Sequence, residues 1–317
     1  MASEVAAPVE RVTDIARALI PENATVERIS SGHLFVEGPI WDARAGALLW
    51  SDIAGDTIWQ WSPQDGRSVF LRPSGKSNGL TFDPEGRLIV AGWTSRCVWR
   101  RERDGSVTRL VTHHDGKRIG TPNDIVARRS DGSIYWTDGT SGARHPGFET
   151  SEDLQIYRKG AATMRWDPRT GQPSIASAET GSCNGIALSH DEQILYVNDS
   201  TARLIYAFDV AADGTLSNRR LFAEKTGSAI KVDLDSNVWC TGALSVTLLD
   251  AKGAVAGRIP IPEKPSNLAW GPELGDGSSS KRDSGSGKDW STLYVTAQTS
   301  VYRVRTHARG LPVGIAA

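Results

Sequence analysis

Glu37, Asn78, Asn123, Asn184, Ser228 and Asn267 recur at one place in a repeated plan, and all six carry oxygen donors. In the clearest copies a polar residue leads an apolar run, then an acidic or glycine turn, then a second apolar run. These are "SNGLTFDPEGRLIVAG" from Ser77, "PNDIVARRSDGSIYWTDG" from Pro122, "CNGIALSHDEQILYVND" from Cys183 and "TGSAIKVDLDSNVWCTG" from Thr226. Weaker copies start at Glu37 ("EGPIWDARAGALLWSDI") and Asn267 ("SNLAWGP"). One carboxylate, four amides and a hydroxyl, if brought together, would suit a hard divalent cation such as Ca²⁺ or Mg²⁺, which prefers oxygen ligands. A single asparagine at a strand start more often caps a tight turn. Four at one register argue for a shared role.

The spacing of these residues names the elements that must hold them. Successive heads lie 41, 45, 61, 44 and 39 residues apart. A strand-rich period of 40 to 45 residues predicts propeller blades, because a four-stranded unit needs neighbours on both faces. Six copies predict an all-β, six-bladed β-propeller with four-stranded antiparallel blades. The outer strands come from "DTIWQWSPQDGRSVFL", "CVWRRERDGSVTRLV", "LIYAFDVAADGTLSNRRLF" and "VTLLDAKGAVAGRIPI", which alternate about Asp-Gly or Lys-Gly turns. "TVERIS" after Thr25 is placed in the blade that ends in "SVYRVRTH", closing the ring with strands from both ends of the chain. In such a ring the innermost strands line a channel, and the six heads converge at one mouth.

Domain boundaries follow: residues 1–24 form an extension with a short helix, 25–306 the propeller and 307–317 a tail. In the extension, Val12, Ile15 and Leu19 predict an apolar helix face that ends at Pro21. The long third gap holds an insertion between Gly139 and Met164, expected to cover the mouth and bear on substrate choice. Residues 273–291, rich in serine, glycine and charge, are expected to be a mobile loop.

Composition narrows the partners. A formal charge of -1 and no basic stripe give no reason to propose nucleic acid or an anionic membrane. A small-molecule substrate is expected instead. Glu4, Glu10 and Asp14 interrupt the first twenty residues, so no export signal is read there, and a cytoplasmic location is expected. Cys97, Cys183 and Cys240 are scattered, which predicts reduced, buried thiols. The six histidines lack zinc-ligand spacing, and no nucleophile elbow or phosphate-binding glycine loop is present. His113, His114 and His145 are placed on loops. "DLDSN" at Asp233 lacks the glutamate of a calcium loop and sits in a hairpin turn.

"VEGPIW" at Val36, "PNDIV" at Pro122, "CNGIALSHDEQILYVND" at Cys183 and "IKVDLDSNVWCTG" at Ile230 resemble the family of senescence marker protein 30, gluconolactonase and luciferin-regenerating enzyme. The resemblance runs from about residue 25 to 306 and itself implies a six-bladed propeller. It also implies lactone or phosphotriester hydrolysis with a divalent ion at the channel mouth. It carries the metal-ligand role onto Glu37 and Asn184, and onto Asn123 as ligand or substrate-positioning amide. The further ligand it implies is an aspartate in a "P-D-G" triplet, and here that triplet reads Gly227-Ser228-Ala229. Ser228 thus stands where the family keeps a carboxylate, also proposed as base or nucleophile. Gly120 departs from a position often polar in relatives, whereas Arg118 persists and could orient a substrate carboxylate or hydroxyl; an exposed loop arginine is the plain alternative.

Three functions stay open. The first is a metal-assisted hydrolase of a lactone or related cyclic ester whose ion, Ca²⁺ or Mg²⁺, is weakly held or absent because one of two carboxylates is missing. The second is an enzyme of another class, acting by isomerisation, cyclisation or ring opening of a bulky metabolite, with Glu37 as acid or base in a pKa-raising environment. The third is a non-catalytic binding propeller. Asp138 in "YWTDG" and Asp199 in "YVNDS" end second strands near the mouth and are alternative proton acceptors, unless they merely bond turn amides. Asn78, Asn123, Arg118 and Ser228 are the candidate substrate contacts. Of the eleven tryptophans, Trp41, Trp50, Trp93, Trp136 and Trp239 fall on inner strands or their ends, where most are expected to pack blades.

Overall fold

Second strands such as Ala47–Asp52, Leu88–Gly92 and Thr292–Ala297 are buried along their whole length, since a neighbouring blade covers each face. Outermost strands such as Gly66–Leu71 and Leu216–Glu224 stay largely in water. This gradient is what the runs of apolar residues inside and alternating residues outside dictate. The computed structural model describes residues 4–5, 8–140, 155–178, 181–224, 226–273 and 289–314. The sheets form a six-bladed β-propeller with antiparallel pairing throughout. Most of the Gly139–Met164 insertion, including His145, and most of the 273–291 loop lie outside the described residues.

From inside to outside, blade one is Val36–Asp42, Ala47–Asp52, Thr57–Ser62 and Gly66–Leu71. Blade two is Ser77–Phe82, Leu88–Gly92, Cys97–Arg101 and Val107–Val111, and blade three is Thr121–Ala127, Ile134–Gly139, Ala162–Asp167 and Gln172–Ala178. Blade four is Cys183–Leu188, Ile194–Asp199, Leu204–Val210 and Leu216–Glu224. Blade five runs through Ile230–Val232, Val238–Thr241, Ser245–Leu249 and Val255–Pro260, with Glu10–Arg11 added at its edge. Blade six is Pro265–Gly271, Thr292–Ala297 and Ser300–Arg305, completed by Val26–Ser30 and then Glu4–Val5. Val26 pairs with Val304 and Ser30 with Val301, so the chain closes its ring with strands from both ends.

Trp50, Trp136 and Trp239 are wholly buried between blades. Trp239 meets Trp270 edge-on at 5.5 Å and Trp41 stacks on Tyr294 at 5.4 Å, pairs worth roughly 0.5–1.5 kcal/mol beyond their buried area. All three cysteines are free and buried, and burial pushes the Cys240 thiol up to about 12. The helix is Asp14–Leu19, capped by Thr13, and its buried face differs from the one the sequence predicts. Ala16 and Ile20 pack inward while Val12 and Ile15 are exposed. The reason is the docking of Glu10–Arg11 on blade five, which turns the small Ala16 toward Gly257. His113 and His114 likewise sit in a two-residue ladder with Lys117–Arg118 rather than in a plain loop.

Past the last strand the chain crosses the end of the channel opposite the heads. Gly310 bridges to Asp233 and lies so close on Trp270 that a Cβ there would sit 1.8 Å from the indole. Val313 then packs on the cluster holding Ile40, Leu80 and Phe82. Among the described residues no helix is long and apolar enough to cross a membrane.

Candidate active site

The six heads meet as the repeat predicts, and the contacts between them close a ring. A Cβ on Gly38 would lie 2.2 Å from the Asn78 carbonyl, one on Gly79 2.8 Å from that of Asn123, and one on Gly185 2.4 Å from that of Ser228. Only glycine permits this approach, and Gly38 also has φ +52°, a left-handed backbone that suits it. The remaining joints are hydroxyl clips. Thr137 donates to the Asn184 carbonyl, Ser228 Oγ to that of Ser266 at 3.2 Å, and Ser266 Oγ to that of Val36 at 2.6 Å. In blades one, two, three, four and six the ladder shifts register at the head, between Glu37 and Ile40 in the first. Such bulges re-aim side chains at the rims of barrels and next to active sites. In the fifth blade the inner strand begins only at Ile230, beyond Ser228.

Glu37 is 6% exposed and sits at the start of blade one. Its Oε2 accepts the Gly38 N–H at 3.2 Å, and the Asn267 side chain favours its charged form. Burial first, and the neighbouring Asp124 carboxylate second, push its pKa up to about 7, against the hydrogen bonds and the Lys231 charge that pull it down. Asn78 and Asn123 each keep a side-chain oxygen that is buried and without a hydrogen-bond partner. An orphaned buried acceptor is costly, and Asp138 Oδ1 and Asn198 Oδ1 share that state. Asn184 is half-buried, with its carbonyl held by Thr137. Ser228 is half-buried; besides its bond to Ser266, its Oγ lies 3.4 Å from Thr241 Oγ1.

The other named carboxylates have structural partners. Asp138 is fully buried, accepts the Gly120 N–H at 2.8 Å and is ion-paired with Arg158 at 2.8 Å. Gly120 is glycine because a Cβ there would be 2.1 Å from the Gly139 carbonyl and 2.8 Å from Asp138. Asp199 Oδ1 accepts three turn amides, from Ser182, Thr201 and Ala202, at 3.0–3.3 Å. Arg118 Nη2 donates to the Ser95 carbonyl at 3.0 Å, and its buried Nε has no hydrogen-bond partner. Asp233 holds its hairpin turn through Asn237 and the Trp239 indole N–H. Replacing Arg158 by Met strands a fully buried carboxylate, and urea denaturation is expected to show a loss of about 3–5 kcal/mol.

Sequence reasoning passed over three contributors. Asp124 and Lys231 pair at 3.8 Å inside the channel, and Arg158 neutralises Asp138. Asp124 stands in the repeat where Gly38, Gly79 and Gly185 stand in others, and Lys231 is the lone charge in the apolar run "AIKV". Both signals were legible. Arg158 carried none.

Comparisons with known proteins agree with this architecture. Residues 35–276 match the model of the SMP-30/Gluconolactonase/LRE-like region. A gluconolactonase of Zymomonas mobilis is 27% identical over 324 residues, covering 92% of this chain and 84% of the relative. The regucalcin of Oryctolagus cuniculus is 24% identical, covering 82% of each. Among solved structures, XC5397 from Xanthomonas campestris, a gluconolactonase, superposes with a TM-score of 0.80 at 26% identity over 96% of this chain and all of the other. Ring, repeat and sequence thus converge, and the chain belongs to the SMP-30/gluconolactonase/LRE-like family.

Proposed function

We propose that this protein is a lactonase-type hydrolase that opens a small cyclic ester at the mouth ringed by the six heads. The observation that carries the reading is one buried carboxyl, Glu37, set in a ring with buried amide oxygens that lack partners. Its lactonase relatives support the reaction class.

The donor set fits a hard cation: the carboxylate of Glu37 and the side-chain oxygens of Asn123 and Asn184, with Asn78 beside them. Among the described residues no three or more His, Cys, Asp or Glu gather to hold a metal, so Ca²⁺ or Mg²⁺ would depend on amides and one charge. When bound, the ion would polarise the ester carbonyl. Asn78 and Asn123 orient the substrate, and Arg118 steers a carboxylate or hydroxyl of it. Proton transfer falls to Glu37 rather than to Asp138, which Arg158 neutralises, or Asp199, which turn amides occupy.

A second reading has its own support in that same raised pKa. A glutamic acid poised near 7 can exchange a proton at neutral pH without an ion, as isomerisation or ring opening of another kind requires. Turnover of aldono-lactones in a pH-stat, with Ca²⁺ or Mg²⁺ and then in chelator, tests both. Hydrolysis that stops in chelator supports the first, and hydrolysis that persists supports an ion-free Glu37. No hydrolysis of any lactone under either condition would overturn the hydrolase reading.

A further inference from the structure

We propose that Lys231, acting through Asn267, is a positioning residue that fixes which way the Glu37 carboxyl faces. The inference rests on the reading above, in which Glu37 is the reacting group. An asparagine side chain has one accepting end and one donating end, and its neighbours decide which is which. Asn267 is 2% exposed, so water does not decide it. Its Oδ1 accepts the Leu268 N–H at 2.8 Å and faces the Lys231 ammonium at 3.4 Å. That leaves Nδ2 as the end available to Glu37, whose strand is clipped beside that of Asn267 by the Ser266 Oγ bond to the Val36 carbonyl at 2.6 Å and whose negative charge the amide favours. Turning the amide over would set its N–H groups against a backbone N–H and an ammonium, and would present an oxygen to a carboxylate.

Lys231 is itself held. Its Nζ donates to the Ile230 carbonyl at 3.1 Å and lies 3.8 Å from Asp124 Oδ2. Asp124 is fixed in turn by the backbone N–H groups of Ile125 and Ile186. Blades three, five, six and one thus contribute Asp124, Lys231, Asn267 and Glu37 to one chain of contacts across the channel. A plainer role for Lys231 is to balance the buried charge of Asp124, and the two roles separate experimentally.

Lys231→Met removes both the balancing charge and the donor to Asn267. Adding Asp124→Asn restores neutrality but not the donor. With ¹⁵N-asparagine labelling, wild type is expected to show an Asn267 Nδ2 proton resonance that moves on Glu37→Gln. That resonance should be lost in both Lys231→Met and the double variant, although the double variant regains the wild-type denaturation midpoint. On a lactone, kcat should fall about tenfold in both with KM within about twofold. Recovery of the resonance together with stability in the double variant would make Lys231 a charge balancer only and overturn the proposal, as would an unchanged resonance in Lys231→Met. An inactive wild type would sink the hydrolase reading while the spectrum still decides the positioning role.

Discussion

Glu37→Gln is expected to lower kcat/KM for lactone opening by roughly 10³-fold, and to make the ion-free protein more stable at pH 8. The two effects share a cause. The folded protein holds the Glu37 proton up to about pH 7, against an ordinary glutamate value of 4.5. Between those values the native state binds more protons than the unfolded chain, so stability falls as pH rises through the window and levels off above it. A shift of this size corresponds to about 3 kcal/mol at alkaline pH. Glutamine keeps an oxygen for the Gly38 N–H without the buried charge. Urea denaturation of both proteins at pH 5 and pH 8 in chelator, beside a lactone assay, reads the whole prediction. Near-normal turnover in the variant would remove Glu37 from both catalytic readings. A stability difference that does not grow with pH would show that its environment leaves the carboxyl unperturbed.

Ser228→Asp is expected to raise Ca²⁺ or Mg²⁺ affinity at least tenfold, about 1.4 kcal/mol. The change supplies a second carboxylate to a ring that has one at its mouth, and hard cations reward charge more than neutral oxygens. It also carries a cost. Ser228 Oγ donates to the Ser266 carbonyl, and a carboxylate cannot donate, so the new side chain is driven away from that oxygen. The ion-free variant should accordingly be less stable than wild type and should recover in millimolar Ca²⁺. Calorimetric titration and melting with and without the ion measure both arms. If a lactone is the substrate and an ion assists, activity rises with affinity; if Glu37 works without an ion, the added charge impairs the native reaction. Unchanged binding would mean that residue 228 does not face the ion.

The fold was legible because it is written redundantly. Six polar heads 39 to 61 residues apart, each followed by an inner apolar run, leave few alternatives, and even the pairing of Val26–Ser30 with Ser300–Arg305 follows from counting strands. Convergence of Glu37 with the asparagines follows from the same periodicity, since equivalent positions of a closed ring face one mouth. What each carboxylate does was not legible. Asp138 and Asp199 end second strands in similar words, "YWTDG" and "YVNDS", yet one is buried against Arg158 from the long insertion that follows it and the other closes a turn with three amides. Nor does the sequence say that Lys231 faces both Asp124 and Asn267, because each lies on a different blade. A repeat fixes where a residue stands within its own blade, through hydrogen-bonded neighbours a few positions away. Its charge environment depends on side chains brought beside it from other blades, and only closing the ring decides which those are.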